Sequence, residues 1–182
     1  MSAVWDANYK GVWHLPNGTS LSLLDSTSNA NDLSNQGSAT AAAGKINGAV
    51  ALDGSSQFLN KTAALVTAAP LTIEAWVYPT NVSAANAIPV AIGDSGSYTG
   101  WYLNVASGVV SFNTAQSESY GASVGGSLSN NIWAHIAGGK RLGQLKICIH
   151  QWLSGNRGHD QFNPLSREPE PYERWKLGTW GY

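Results

Sequence analysis

Charged residues are scarce in this chain: Asp, Glu, Lys and Arg make up 12 % of its 182 residues, and the formal net charge is −1. A chain with so little positive charge lacks the electrostatic footprint of a protein that binds nucleic acid or an anionic membrane. Cys148 is the only cysteine, which excludes a disulfide framework and a thiolate metal cluster. The sequence contains no run of about 18 apolar residues, so we expect no transmembrane helix and no membrane insertion.

Glycine, serine, threonine and asparagine are abundant, and they lie between short apolar runs. Turn signals such as Asn17-Gly18, Asn47-Gly48 and Ser107-Gly108 separate these runs, and short strands spaced by roughly 8–12 residues indicate a sandwich or barrel. No segment repeats its apolar residues at the helical period. The pattern therefore predicts an all-β fold with strands at Gly11–Leu15, Ser20–Leu24, Ala49–Asp53, Phe58–Lys61, Leu71–Tyr78, Ala87–Gly93, Trp101–Ala106, Val109–Thr114 and Ile132–Ala137.

The segment Leu71–Tyr78 is the clearest of these strands. One face carries Leu71, Ile73, Ala75 and Val77, and the other carries Thr72, Glu74, Trp76 and Tyr78. Aromatic residues on the second face predict that this face is partly covered as well. Further along, Ser107-Gly108 predicts a tight hairpin between two strands, because glycine adopts positive φ at little cost.

Charge density changes sharply near Gly138. Residues 1–138 hold three Lys, no Arg, five Asp and two Glu, whereas residues 139–182 hold seven Lys or Arg and four Asp or Glu. A shift of this kind is typical of a domain boundary or a tail. We therefore divide the chain into a domain over residues 1–138 and an atypical tail over residues 139–182.

Five segments share an order and spacing with a known family. They are Val4–Leu15, Asp25–Asp32, Gly44–Gly54, Leu71–Val77 and Trp133–Gly138. Together they resemble the laminin-G-like, or concanavalin A-like, jelly-roll family, in particular its microbial and phage branch, over residues 4–138. The resemblance implies an antiparallel β-sandwich of two sheets packed face to face. Three tryptophans are then expected to fill one core, and each would bury on the order of 150–250 Å² of its surface. They are Trp13, Trp76 and Trp133.

The tail departs from the family pattern, which continues after Gly138 with a loop and a strand. When the codons of Lys146–Trp152 are read one base later, codon degeneracy permits Arg-Tyr-Val-Tyr-Ile-Asn-Gly, which is the missing strand and turn. We therefore hypothesise that the residues from about Gly139 onward are out of frame; the alternative is a genuine basic tail. Either way we expect a sandwich that is incomplete at the C-terminus, little regular structure in the tail, and marginal stability.

Catalytic groups are poorly supported by the sequence. Glycoside hydrolases on this fold need two carboxyl groups about 5–10 Å apart. Glu74 has no acidic partner on its strand, because the neighbouring positions on the same face are Thr, Trp and Tyr. His14 and His135 stand beside tryptophans without a nucleophile elbow, and they are too isolated for a zinc site.

Calcium is the metal that the sequence favours. The loop Asp25–Asp32 is rich in the hard oxygen donors that Ca²⁺ prefers, and many members of the resembled family bind Ca²⁺ with loop acids. Asp25, Asn29 and Asn31 are therefore the predicted metal ligands. The alternative is an Asx-turn loop whose side chains bond to their own backbone.

Three aromatic residues near Gly/Ser-rich turns are predicted ligand-binding residues. Tyr98, Trp101 and Tyr120 would form a stacking platform for a sugar. The alternative places Trp101 in the core and leaves the tyrosines exposed by chance.

The leading functional hypothesis is a non-catalytic module that recognises a glycan or a surface protein, with Ca²⁺ in the loop after Asp25 as the candidate cofactor. The alternatives are a divergent glycoside hydrolase or lyase on the same fold, and a structural spacer without a ligand. No basic stretch followed by an apolar one opens the chain, so no signal peptide is visible. Either export uses another route, or this chain is a piece of a longer protein. From the resemblance we expect an extracellular or surface-associated domain that is part of a larger microbial or phage protein.

Overall fold

The computed structural model describes residues 4–16, 20–63, 65–94, 99–116, 119–141 and 144–151. This part of the chain contains no helix, so none that could cross a membrane, and the predicted all-β class is confirmed. The strands are β1 (Ser34–Gln36), β2 (Thr40–Ala43), β3 (Gly48–Ala51), β4 (Phe58–Asn60), β5 (Leu71–Val77), β6 (Ala87–Asp94), β7 (Thr99–Ala106), β8 (Val109–Gln116), β9 (Ser119–Ser127), β10 (Ala134–Arg141) and β11 (Gln144–Gln151).

Two antiparallel sheets form the sandwich. One has the strand order β6-β7-β8-β9 and the other the order β11-β10-β5. Strand β10 lies against β7 and β8, and β11 lies against β8 and β9. The remaining strands form two separate pairs, β1 with β4 and β2 with β3. The antiparallel sandwich implied by the family resemblance is therefore confirmed.

The core lies between the two sheets, and strand periodicity decides which residues enter it. Alternate residues of β7, β8 and β10 are buried, because successive side chains of a strand point to opposite faces. Phe112 in β8 and Ile136 in β10 are both fully buried. The core residues are Ile73, Trp101, Leu103, Val105, Val110, Phe112, Leu128, Ala134 and Ile136. Every member lies between Ile73 and Ile136, so the strands before β5 contribute no residue to this cluster.

The tryptophan core expected from the sequence is wrong. Trp76 is 37 % exposed, Trp13 and Trp133 are half-buried, and none of the three belongs to the core cluster. On β5 the inner face is taken by Ile73 and its alternate neighbours, so the period of two directs Trp76 outward. The ring that fills the centre of the sandwich is instead that of Phe112.

Two of the predicted strands are irregular segments in the structure. Gly11–Leu15 and Ser20–Leu24 contain no strand residues. Their backbone groups bond elsewhere: the Val12 amide donates to Asp25 Oδ1 at 2.9 Å, and the Leu33 amide donates to the Leu23 carbonyl at 3.0 Å. The hairpin at Ser107-Gly108 is confirmed. Both residues have positive φ, 48° and 80°, as a two-residue type I′ turn requires.

The expectation of little regular structure beyond Gly138 is wrong for the first part of the tail. Strand β10 continues to Arg141, and β11 pairs with it antiparallel along its whole length. Ile147 faces Gly138 across this pair and packs against the core. The given sequence therefore forms this strand and places Ile147 against the core. The out-of-frame hypothesis stays a prediction, and sequencing of the coding DNA tests it. Residues 152–182 lie outside the described part of the chain.

Gly138 in β10 lies against the ring of Phe112 in the opposing sheet. A Cβ atom on Gly138 would lie 2.5 Å from ring carbon Cδ2 of Phe112. We expect Gly138→Ala to lower the free energy of unfolding by about 1–3 kcal/mol, because overpacking forces side chains off their rotamers or shifts the backbone. Urea unfolding followed by fluorescence measures the change.

A second variant separates overpacking from other effects of the alanine. Phe112→Leu shortens the side chain that the new methyl group would meet. We expect the double variant Gly138→Ala/Phe112→Leu to lose less stability than the sum of the two single variants. Additive losses would show that the contact with Phe112 is not what makes glycine necessary here.

Candidate functional site

The predicted aromatic platform does not form as expected. Trp101 is only 6 % exposed and belongs to the core cluster, so it cannot offer its ring to a ligand. It lies on the inward face of β7 with Leu103 and Val105, which fixes its direction. Tyr98 lies outside the described residues. Tyr120 belongs to β9, but its side chain lies outside the described part.

A different group of aromatic residues is exposed on the outer side of the three-stranded sheet. We call Glu74, Trp76, Tyr78, Trp133 and His135 the aromatic face. Alternation along Leu71–Tyr78 directs the first three outward, while Ile73 points into the core. The antiparallel register sets His135 directly opposite Trp76, which brings the two chain segments together on one surface.

The rings of the aromatic face contact one another in pairs. Trp76 and His135 have ring centroids 5.3 Å apart with an interplanar angle of 47°. Tyr78 and Trp133 have the same centroid distance of 5.3 Å at 48°. Such spacing is in the range of favourable aromatic pairs. Trp76 and His135 lie on β5 and β10, Tyr78 and Trp133 lie one residue beyond the ends of these strands, and Trp76 and Tyr78 remain 37 % and 45 % exposed.

Polar groups border these rings. Glu74 Oε2 lies 3.6 Å from His135 Nε2, and the two side chains are 59 % and 32 % exposed. A pair with this much exposure contributes little to stability, at most about 1 kcal/mol. Both groups are accessible to a ligand as hydrogen-bond partners. The surface therefore combines exposed ring faces with a carboxylate and an imidazole, which is the composition of a site that binds sugars or peptides.

Sequence reasoning identified this strand but misread its second face. It assigned Trp76 and Trp133 to the core because large aromatic residues are usually buried. The sequence does contain a signal that Trp76 is exposed. Thr72 and Glu74 share its face of the strand, and polar residues on a strand face indicate that the face is open to solvent.

The outer face of the four-stranded sheet has a different character. Asn113 Nδ2 donates to Ser111 Oγ at 2.9 Å, and Asn104 Nδ2 donates to Asn86 Oδ1 at 3.4 Å. The Asn113 bond lies within β8, and the Asn104 bond reaches the residue before β6. In the part of the chain that the structure describes, this face presents polar side chains, and the buried Oδ1 atom of Asn104 has no hydrogen-bond partner.

The predicted metal loop is built around Asp25. Its Oδ1 accepts hydrogen bonds from the amides of Val12 and Thr27, both at 2.9 Å. Its Oδ2 accepts from Thr27 Oγ1 at 2.7 Å and from the Asn31 amide at 2.9 Å. Partial burial raises the pKa of this carboxyl, but the bonds from Val12, Thr27 and Asn31 outweigh it and lower the pKa from 3.8 to about 2. Asp25 is therefore held as a carboxylate by donors from its own chain.

The other two predicted ligands use their amide groups as donors. Asn29 Nδ2 donates to the Tyr9 carbonyl at 2.8 Å, and Asn31 Nδ2 donates to the Lys10 carbonyl at 2.7 Å. The structure thus brings Asp25, Asn29 and Asn31 together, as predicted, but around backbone groups of residues 9–12. Among the described residues, no cluster of three or more His, Cys, Asp or Glu side chains forms a metal centre.

Comparison with known proteins identifies one family. Residues 53–150 match a laminin G-like family model whose description is the concanavalin A-like lectin/glucanases superfamily. The match covers β5 to β10 and all but the last residue of β11, and so includes the whole aromatic face. Comparison with curated proteins and with solved structures returned no match.

Proposed function

Since the chain belongs to the concanavalin A-like lectin/glucanases superfamily, we propose that it is a non-catalytic module that binds a glycan. Domains of this family commonly mediate binding, although the superfamily also includes glycosidases. Fold alone does not choose between these roles, so the choice rests on the surface residues.

The aromatic face is the observation that carries the proposal. Exposed, pre-positioned rings stack on the C–H faces of pyranose rings, and Trp76 and Tyr78 offer such ring surface on one side of a rigid sheet. Glu74 and His135 at its border would accept and donate hydrogen bonds to sugar hydroxyls. Large exposed aromatic residues that contact one another on a folded domain are characteristic of interaction sites.

A hydrolytic role receives less support from the same surface. Glycoside hydrolysis needs a pair of carboxyl groups, one as acid and one as nucleophile or base. Glu74 is the only acidic residue of the three strands β5, β10 and β11 that form this sheet. A single carboxylate beside stacked rings favours binding without bond cleavage.

The setting that we propose is extracellular or surface-associated, within a larger microbial or phage protein. Laminin G-like domains are often extracellular. The low charge and the many Ser, Thr and Asn residues suit a surface exposed to the outside of a cell or particle. The glycan would then belong to a cell surface that the larger protein meets.

A glycan array probed with the purified chain tests this function. We expect saturable binding to at least one class of glycan, and release of bound protein by the free sugar. Binding to a protein extract that survives enzymatic removal of its glycans would point to a protein ligand instead. The spacer alternative would be supported, and the proposal contradicted, if no glycan bound while circular dichroism showed a folded β-protein.

A further inference from the structure

The loop Asp25–Asp32 has the residues of a calcium site, but the carboxylate oxygens of Asp25 are already used as hydrogen-bond acceptors. A carboxylate offers about four lone-pair positions. Asp25 uses four of them for donors from Val12, Thr27 and Asn31. A cation at Asp25 would have to displace at least one of these bonds and leave an amide or hydroxyl without its partner.

The asparagines reinforce this conclusion. Calcium is bound by amide oxygens, whereas Asn29 and Asn31 direct their NH₂ groups to the carbonyls of Tyr9 and Lys10. Those two carbonyls, which are themselves the kind of oxygen that binds Ca²⁺, each accept a hydrogen bond from an asparagine side chain. Hydrogen bonds thus join the loop to the segment around residues 9–12.

A second loop of the same protein uses the same chemistry. Asp53 Oδ1 accepts from the amides of Ser55, Ser56 and Gln57 at 2.9–3.0 Å, and its Oδ2 accepts from Ser56 Oγ at 2.7 Å. Its pKa is held well below the usual range by these bonds, the one from the Ser56 hydroxyl first. This loop has none of the asparagines that suggested a metal at Asp25, yet its carboxylate is saturated in the same way.

We propose that Asp25 is a metal-free clip that joins residues 9–12 to the loop Asp25–Asp32, and that this loop does not bind calcium. The clip replaces the sheet hydrogen bonds that Gly11–Leu15 lacks. This inference is independent of the aromatic face, so it stands or fails separately from the proposed function.

Thermal unfolding of the whole chain, with excess EGTA or with excess calcium, tests the proposal. We expect the wild-type Tm to be the same in both buffers. Asp25→Asn removes the charge and converts acceptors to donors, so we expect its Tm to fall by several degrees and by the same amount in both buffers. Asp32→Asn keeps an oxygen that can accept from the Asp25 amide, and we expect its Tm to stay near that of the wild type.

Terbium luminescence gives a second readout that does not require a folded Asp25 variant. Terbium replaces calcium in protein sites and emits when a nearby tryptophan is excited. The Trp13 indole donates to the Asn31 carbonyl at 2.9 Å, so it lies against the loop. We expect no saturable, calcium-competed emission from the wild type. A calcium-induced rise in Tm, or such emission that Asp32→Asn abolishes, would overturn the metal-free clip.

Discussion

Replacement of Phe112 by alanine is expected to lower the free energy of unfolding by about 3–5 kcal/mol. The side chain is fully buried, and its ring lies against Gly138 on the opposing sheet. Its removal takes away apolar burial and leaves a cavity at the point where the sheets meet, because their backbones cannot move closer without disturbing the strand ladders. Since small domains are stable by only about 5–15 kcal/mol, this one change removes a large share of the total. Urea unfolding at constant pH measures it.

Phe58→Ala is the matched control for this experiment. Phe58 begins β4 and is 52 % exposed, so its truncation removes the same atoms with about half of the burial and no core cavity. We expect the control to lower the free energy of unfolding by about 1 kcal/mol. Equal losses for the two variants would contradict the placement of the core between the two large sheets.

Truncation of Trp76 is expected to weaken glycan binding at least about tenfold, because loss of a central aromatic anchor costs about 2 kcal/mol or more. Tyr78→Ala is expected to act in the same direction, since Tyr78 and Trp133 form the second ring pair of the aromatic face. Titration of the purified variants with the glycan selected on the array measures the dissociation constants.

Tyr9→Ala provides a control with nearly the same exposure as Tyr78, 43 % against 45 %. The Tyr9 ring contacts Trp5 in the N-terminal segment and belongs to neither ring pair of the aromatic face. We expect its truncation to leave the affinity unchanged. Trp76→Phe, which keeps a ring, should retain part of the affinity. Equal effects of Tyr9→Ala and Tyr78→Ala would indicate a general loss of stability rather than a binding site.

The sandwich could be predicted from the sequence because its signals are local. Alternation along Leu71–Tyr78 and the turn at Ser107-Gly108 depend on neighbouring residues alone, and both appear in the structure as predicted. The tail could not be predicted in the same way. Charge density averages over many residues, whereas a strand such as β11 needs only alternate apolar positions such as Ile147 to pack against the core.

The site was harder to predict because it depends on partners distant in the sequence. The direction of Trp101 is set by the register of β7, which no single residue reveals. The pairing of Trp76 with His135 joins β5 and β10, which are neighbours in the sheet but are separated in the sequence by β6 to β9. In the same way, the composition of the loop Asp25–Asp32 indicates oxygen donors, but only the structure shows that Val12 supplies a donor to Asp25 from a different segment.

The indole N–H resonances of the tryptophans, followed by NMR during titration with the selected glycan, test the central claim most directly. Trp76 and Trp133 belong to the aromatic face, whereas Trp101 is buried in the core and serves as an internal reference in the same spectrum. We predict that the signals of Trp76 and Trp133 shift in a saturable manner while that of Trp101 stays in place. Shifts of the Asn104 and Asn113 side-chain amides, with the Trp76 and Trp133 signals unchanged, would contradict a binding site on the three-stranded sheet.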